Sequence, residues 1–160
     1  NQGFYCVMLA LQYERLIVGA GTFRRVLEEL IQYTKETQYN GQPLAKNPFV
    51  QNKLAEMAIE IEVLYGFYWR TVWMMDQGLV PELEASMLKL FATELSRTLA
   101  STAMEILGLY GQLEKSSKWA PLRGWISIGY MDSISGPNGA GTSEVQRGII
   151  ATRGLGLPRR

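Results

Sequence analysis

The residues with the clearest chemical potential lie in one glycine-rich run near the end of the chain, Gly136-Pro137-Asn138-Gly139-Ala140-Gly141-Thr142-Ser143-Glu144-Val145-Gln146-Arg147-Gly148-Ile149-Ile150. Gly136, Gly139 and Gly141 permit positive φ and close backbone approach, and Ser143 with Gln146 three residues on predicts a capping box. The run reads as a loop that turns into a helix. Free N–H groups at such a helix start can receive an anionic or electron-rich ligand. A turn and a cap with no ligand is the plainer reading of the same residues.

Other chemistries are excluded by what the chain lacks. It has no histidine and one cysteine, Cys6. Ser-His-Asp and Cys-His nucleophile systems are therefore impossible, soft ligands are too few for a zinc site, and no metal is expected. A lone cysteine forms no internal disulfide, which points to a reducing, intracellular setting. With 16 basic and 15 acidic residues the net charge is +1, so no bulk field draws nucleic acid or an anionic membrane. No apolar run is long enough to cross a bilayer, and no signal peptide opens the chain. The chain begins at Asn1, already in an apolar pattern, which suggests a piece of a longer protein.

The elements that must position the loop read as helices. The 160 residues, 47% of them hydrophobic and 19% charged, suffice for one domain. From Gly3 to about Thr37, Leu16, Ala20, Phe23, Leu27, Leu30 and Thr34 recur at steps of three and four, which predicts one long amphipathic helix. Asn40-Gly41-Gln42-Pro43 breaks it. Asn47-Pro48 starts a second helix as N-cap and first position, with Val50, Leu54, Met57, Ile61, Leu64, Tyr68, Val72 and Met75 inward, and Gly78 ends it. Pro81 opens a third, whose inward stripe is Leu83, Met87, Leu90, Leu95, Thr98, Thr102, Ile106 and Leu109. Lys89, Glu94 and Arg97 fall outside that stripe, and Gly108 and Gly111 close the helix. The pattern is lost from Gln112 to Gly141, which predicts a long connection carrying Trp119, Trp125 and Tyr130. A short helix follows from Ser143 to about Thr152. Tight turns between long amphipathic helices give an all-α fold, an up-and-down four-helix bundle.

The wording of several segments resembles one family. Gly139-Ala140-Gly141-Thr142-Ser143-Glu144-Val145, Gln146-Arg147 and the tail Arg153-Gly154-Leu155-Gly156-Leu157-Pro158 are similar to the C-terminal end of acyl-CoA dehydrogenases. Gly3-Phe4 through Gly21 resembles the first long helix of that family's C-terminal bundle, and Leu54-Ala55-Glu56-Met57-Ala58 with Ile61-Glu62 resembles its second. Four such segments in the family's order cover almost the whole chain. The resemblance implies that residues 1–160 form one C-terminal helical-bundle domain, without the family's N-terminal helical and middle β-domains.

What the family does is implied by the resemblance alone. Its reaction removes the α-proton of an acyl-CoA thioester while a hydride leaves the β-carbon for FAD, and a carboxylate base works there when burial raises its pKa. Most members place a Glu immediately before Gly-Thr; the form typified by isovaleryl-CoA dehydrogenase has Ala there and a base in an L-x-x-E-R sequence on the first long helix. This chain has Ala140 and Leu11-Gln12-Tyr13-Glu14-Arg15. The implied base is Glu14, with the backbone N–H of Ala140 on the thioester carbonyl. Leu11, Arg15 and Gly141 take substrate positions, with Arg15 toward the CoA moiety, and Thr142, Glu144 and Gly108 take positions near the flavin. Taken alone, Glu14 beside Arg15 is a solvated helix carboxylate.

The implied partners are an acyl-CoA, an electron-transfer flavoprotein as acceptor and further subunits in a homo- or hetero-oligomer, a dimer or homotetramer. The implied setting is fatty acid metabolism in the cytoplasm of a bacterium or the mitochondrial matrix. Two departures stand out. Thr37 occupies the place of an arginine that reaches a neighbouring FAD, and Glu105-Ile106-Leu107-Gly108-Leu109-Tyr110-Gly111 lacks the family's Gln and one Gly. Three readings stay open: a catalytic acyl-CoA dehydrogenase domain; a non-catalytic partner subunit of a heteromer; and a helical interaction module using Tyr68, Trp69, Trp73, Met74 and Met75. The 160 residues alone are expected neither to hold FAD tightly nor to turn over.

Overall fold

Asn47 and Pro48 do what their types predict: the Asn47 side chain accepts the Phe49 N–H at 2.9 Å, and Pro48 is the first residue of the longest helix. In the computed structural model, which describes residues 2–15 and 19–158 without the side chains of Phe4, Met8, Leu9, Leu11 and Gln12, six α-helices account for most of the chain. They are α1 (Gly3–Glu14), α2 (Ala20–Glu36), α3 (Pro48–Asp76), α4 (Glu82–Leu107), α5 (Trp125–Ser135) and α6 (Ser143–Ile149), the last running into a π-turn over Ile150–Gly154. Leu16, first in the expected stripe, and the Leu11 side chain lie outside the described residues.

The expected single first helix is two. Gly19 stands at φ +60°, a left-handed residue that a continuing right-handed helix does not contain, and α2 begins only after it. Between α2 and α3 a two-residue hairpin pairs Gln38 with Pro43 and Tyr39 with Gln42. Its turn residues Asn40 and Gly41 both have positive φ, the geometry that favours Asn-Gly.

Helix α4 is the centre. It packs against α3, α5 and α6 and touches α1 and α2. Leu30 of α2, Leu64 of α3 and Leu88 of α4 are fully buried, joined by Met57, Ile61, Leu95, Leu99, Ala103 and Ile126 in one core. Each large apolar side chain so buried contributes about 1.5–3 kcal/mol. Because α4 is covered on several sides, no single stripe describes it: Ala85, Leu88, Ala92, Leu99 and Ala103 are buried, while the expected Thr98 and Leu109 are exposed. On α3 the inward position near the end is Thr71, not Val72 or Met75; its hydroxyl closes on the Phe67 carbonyl at 2.8 Å.

The stretch from Gln112 to Gly141 is also not a plain connection, since it contains α5. Leu122, Arg123 and Gly124 turn the chain with φ of +50°, +56° and +68°, and α5 then follows. A Cβ on Gly124 would stand 2.6 Å from the Lys115 nitrogen, so the close backbone approach there requires glycine. The helix escapes a periodicity reading because its apolar residues do not form an inward stripe. Ile126 and Ser133 are buried, whereas Trp125, Met131 and Ile134 are exposed.

Candidate functional site

The glycine-rich loop sits against the first half of α4 and is held from inside by three side chains. Arg15, just past the end of α1, is only 7% exposed. It donates through Nε and Nη2 to the Ala140 carbonyl at 3.3 and 3.2 Å. Lys89 of α4, 5% exposed, donates through Nζ to the carbonyls of Pro137 at 3.1 Å and Gly141 at 2.8 Å. Gln146 of α6 is fully buried and its Nε2 lies 3.1 Å from the Ala140 carbonyl and 3.2 Å from that of Gly141. The carbonyls of the loop are therefore turned toward the protein and satisfied there.

The backbone explains why this needs glycine at one place. Gly141 has φ +95°, and a Cβ there would meet Gln146 Nε2 at 2.8 Å. Ala140 itself has φ +50°, an uncommon conformation for a residue with a side chain, and it is held by the two donors on its carbonyl. Among the described residues no hydrogen bond is formed by the Ala140 N–H.

The expected capping box takes a different form. Thr142 is the N-cap of α6, and its side chain accepts the Val145 N–H at 3.3 Å. Ser143 instead donates to Glu94 Oε1 at 2.7 Å, and Arg147 lies 3.4 Å from the same oxygen. Gln146 is inside rather than reaching back to the helix start. A buried glutamine beside two loop carbonyls has better acceptors available than an exposed cap, which is why the S-x-x-Q spacing misleads here.

Charges shape the loop. Burial pushes the Arg15 guanidinium below its ordinary value, against the raising effect of Glu14, and Arg153 lowers it further. Burial also lowers the Lys89 amine, as does nearby Arg15, while Glu94 and Glu144 oppose the shift. Neither buried cation is in an ion pair among the described residues; backbone carbonyls are their partners. Glu144 is held below the usual carboxylate value by its own backbone N–H first and then by the Thr142 hydroxyl.

These positions sort the residues named from sequence. Glu14, exposed at the end of α1, is brought to the loop through its neighbour Arg15. Ala140, Gly141, Thr142 and Glu144 are on the loop and the start of α6. Arg15 itself faces inward onto Ala140. Gly108 is at the other end of α4: the rise of about 1.5 Å per residue puts it about 28 Å along the axis from Lys89, so it is not part of this constellation. Thr37 is committed to backbone bonds, its N–H to the Tyr33 carbonyl and its carbonyl to the Leu44 N–H. Sequence reasoning missed Lys89, Gln146 and Glu94. Lys89 had a visible signal, a lone cation within Leu88-Lys89-Leu90-Phe91.

A cleft of about 570 Å³ opens beside the same end of α1, lined by Tyr13, Tyr68, Thr71, Val72, Met75, Asp76 and Leu88. Among the described residues no helix is long and apolar enough to cross a membrane.

Residues 1–155 match the family described as acyl-CoA dehydrogenase, C-terminal domain. The chain belongs to this family. It is 33% identical over 165 residues to the acyl-CoA dehydrogenase FadE26 of Mycobacterium tuberculosis, covering 99% of this chain and 41% of that relative. It is 29% identical over 153 residues to the mitochondrial isovaleryl-CoA dehydrogenase of Oryza sativa, covering 94% and 36%. Among solved structures, the acyl-CoA dehydrogenase of Geobacillus kaustophilus superposes with a TM-score of 0.85 at 33% identity, over 98% of this chain and 40% of that one. A chain of the ChsE4-ChsE5 complex of Mycobacterium tuberculosis gives 0.81 at 33% identity, over 89% and 36%. The chain thus spans about two fifths of the length of these acyl-CoA dehydrogenase relatives.

A backbone N–H at the loop is left to donate, which is compatible with a carbonyl oxygen or the polar edge of a flavin ring. Ala140 offers an N–H with no hydrogen-bond partner among the described residues, whereas the Thr142 hydroxyl is already engaged, accepting the Val145 N–H and holding the Glu144 carboxylate. Thr37 itself carries no charge to offer a phosphate.

Proposed function

We propose that this chain supplies the base and the carbonyl-binding backbone of an FAD-dependent acyl-CoA dehydrogenase. The Glu14 carboxylate removes the α-proton of the acyl thioester. The Ala140 N–H donates to the thioester oxygen, where negative charge develops as that proton leaves, and a fixed donor aimed at developing charge lowers the barrier. FAD, when bound, supplies the two-electron oxidant that receives the hydride from the β-carbon. Thr142 and Glu144 take the cofactor edge, and Gly141, which has no Cβ, lets the loop close onto Gln146 beneath the substrate position.

The observation that carries this reading is the pair of Arg15 bonds to the Ala140 carbonyl, across 125 residues of sequence. They tie the helix end bearing Glu14 to the loop residue with the spare N–H. Arg15 then supports the substrate site from beneath, through Ala140, and a direct CoA contact is not needed for its role. Glu14 is exposed in this chain, so substrate and cofactor seated over it have to exclude water from the proton transfer.

The test uses the full-length protein with its flavin. Acyl-CoA should bleach the yellow flavin spectrum, and Glu14→Gln should abolish the bleaching without loss of bound flavin. Bleaching at the wild-type rate in Glu14→Gln contradicts the assignment of the base. Reoxidation by an electron-transfer flavoprotein identifies the acceptor. The 160 residues alone provide one wall of the site, and stoichiometric FAD on this chain by itself contradicts that division.

A second reading is favoured by Thr37, by the 82% exposed Leu109 and by the likeness to a chain of the ChsE4-ChsE5 complex. In it the chain is the partner subunit of a heteromer and lends its bundle as an interface. Full-length protein that binds FAD only after mixing with a second subunit supports this reading.

A further inference from the structure

The proposed chemistry uses Ala140 but leaves the buried cation beneath it without a role. Lys89 is 5% exposed and lies in the most buried helix, where an amine is costly unless well partnered. Its two partners are the Pro137 and Gly141 carbonyls, one on each side of Ala140 in the chain. The Pro137 carbonyl also accepts the Ser143 N–H at 3.1 Å, so the Lys89 ammonium closes the base of a loop already drawn together there. On the far side of Ala140, Lys89 holds the Gly141 carbonyl at 2.8 Å, the shorter of the two bonds that carbonyl accepts, the other coming from Gln146 Nε2 at 3.2 Å. The Thr93 hydroxyl, one turn on, makes no bond to the loop carbonyls and goes back to the Lys89 and Leu90 carbonyls of its own helix.

We propose that Lys89 is a positioning residue for the reaction: its ammonium clamps the Pro137 and Gly141 carbonyls and thereby fixes the Ala140 N–H that receives the thioester oxygen. The inference rests on the reading of Ala140 given above. Arg15 and Gln146 hold the Ala140 carbonyl, Gln146 also reaches the Gly141 carbonyl and the Ser143 N–H the Pro137 carbonyl, so loss of Lys89 leaves the loop attached while removing the side chain that joins its two flanks to α4. A shift on the order of 1 Å in such a donor costs on the order of 100-fold in rate.

The experiment compares wild type with Lys89→Met, close in length and without a donor, in full-length flavin-loaded protein. Three quantities are read: kcat and KM for acyl-CoA-dependent flavin reduction, the infrared thioester C=O frequency of bound acyl-CoA, and amide hydrogen exchange of residues 136–142. The clamp predicts a kcat fall of about 30-fold or more, KM within about threefold, a C=O frequency moved toward that of free substrate, and faster exchange confined to the loop. Unchanged kcat and C=O frequency overturn it. If Lys89→Met does not fold, Lys89→Gln, whose amide can serve one of the two carbonyls, is judged by the same readouts. If wild type itself fails to respond to any acyl-CoA, the reading of the function fails, and loop exchange alone decides whether Lys89 is the clamp.

Discussion

Gly141→Ala isolates the geometry of the loop in one methyl group. The added Cβ would stand 2.8 Å from Gln146 Nε2 and 3.5 Å from Arg15 Nη2, on a backbone at φ +95°. Backbone strain for a non-glycine residue there is about 1–3 kcal/mol. Moving the Gln146 amide weakens its bonds to the Ala140 and Gly141 carbonyls, each worth about 1 kcal/mol. Loss of unfolded-state freedom returns about 0.4–1 kcal/mol. The net cost is about 2–3 kcal/mol, a fall in Tm of about 5–10 °C for a chain of this size. Gly139→Ala is the matched control, since its φ is not positive and its Cβ would meet only the Gly136 carbonyl at 3.9 Å. It should be neutral or slightly stabilising. Thermal unfolding of both variants by circular dichroism reads the difference. Equal Tm values for the two would refute the loop geometry.

Two further outcomes check the core and the loop's charge. Leu64→Ala, at a fully buried position of α3, should lose about 3 kcal/mol in urea unfolding, against about 0.5 kcal/mol or less for the 43% exposed Val63; equal losses contradict the register of α3. Glu144 has a carboxyl pKa lowered in the folded state, so its contribution to stability is present above the ordinary value of 4.5 and is lost as pH falls through the lowered one. The Tm gap between wild type and Glu144→Gln should therefore be open near neutral pH and close in acid, and a gap independent of pH contradicts the assignment.

The bundle was legible because α2 and α3 each bury one stripe: Leu27, Leu30 and Thr34, then Val50, Met57, Ile61 and Leu64 are where periodicity puts them. Helix α4 was legible as a helix and not as a face, because neighbours cover most of it and alanine does much of the packing. Helix α5 was hidden by its exposed aromatic and apolar residues and by a left-handed entry no pattern announces. At the site, the loop and its pairing with the end of α1 followed from wording, and the bonds from Arg15 to Ala140 give that pairing a physical link. The carbonyl clamp was not legible. Lys89 reads as a helix-surface charge until the loop folds over it, and the Gln146 spacing announces a cap while the side chain turns inward.

The central claim is that the base lies on α1 and the carbonyl donor on the loop. The most direct test is stopped-flow reduction of the flavin by acyl-CoA in full-length Glu14→Gln. The account predicts flavin content and substrate binding like wild type with reduction slowed by about 10³-fold or more. Reduction at the wild-type rate would contradict it.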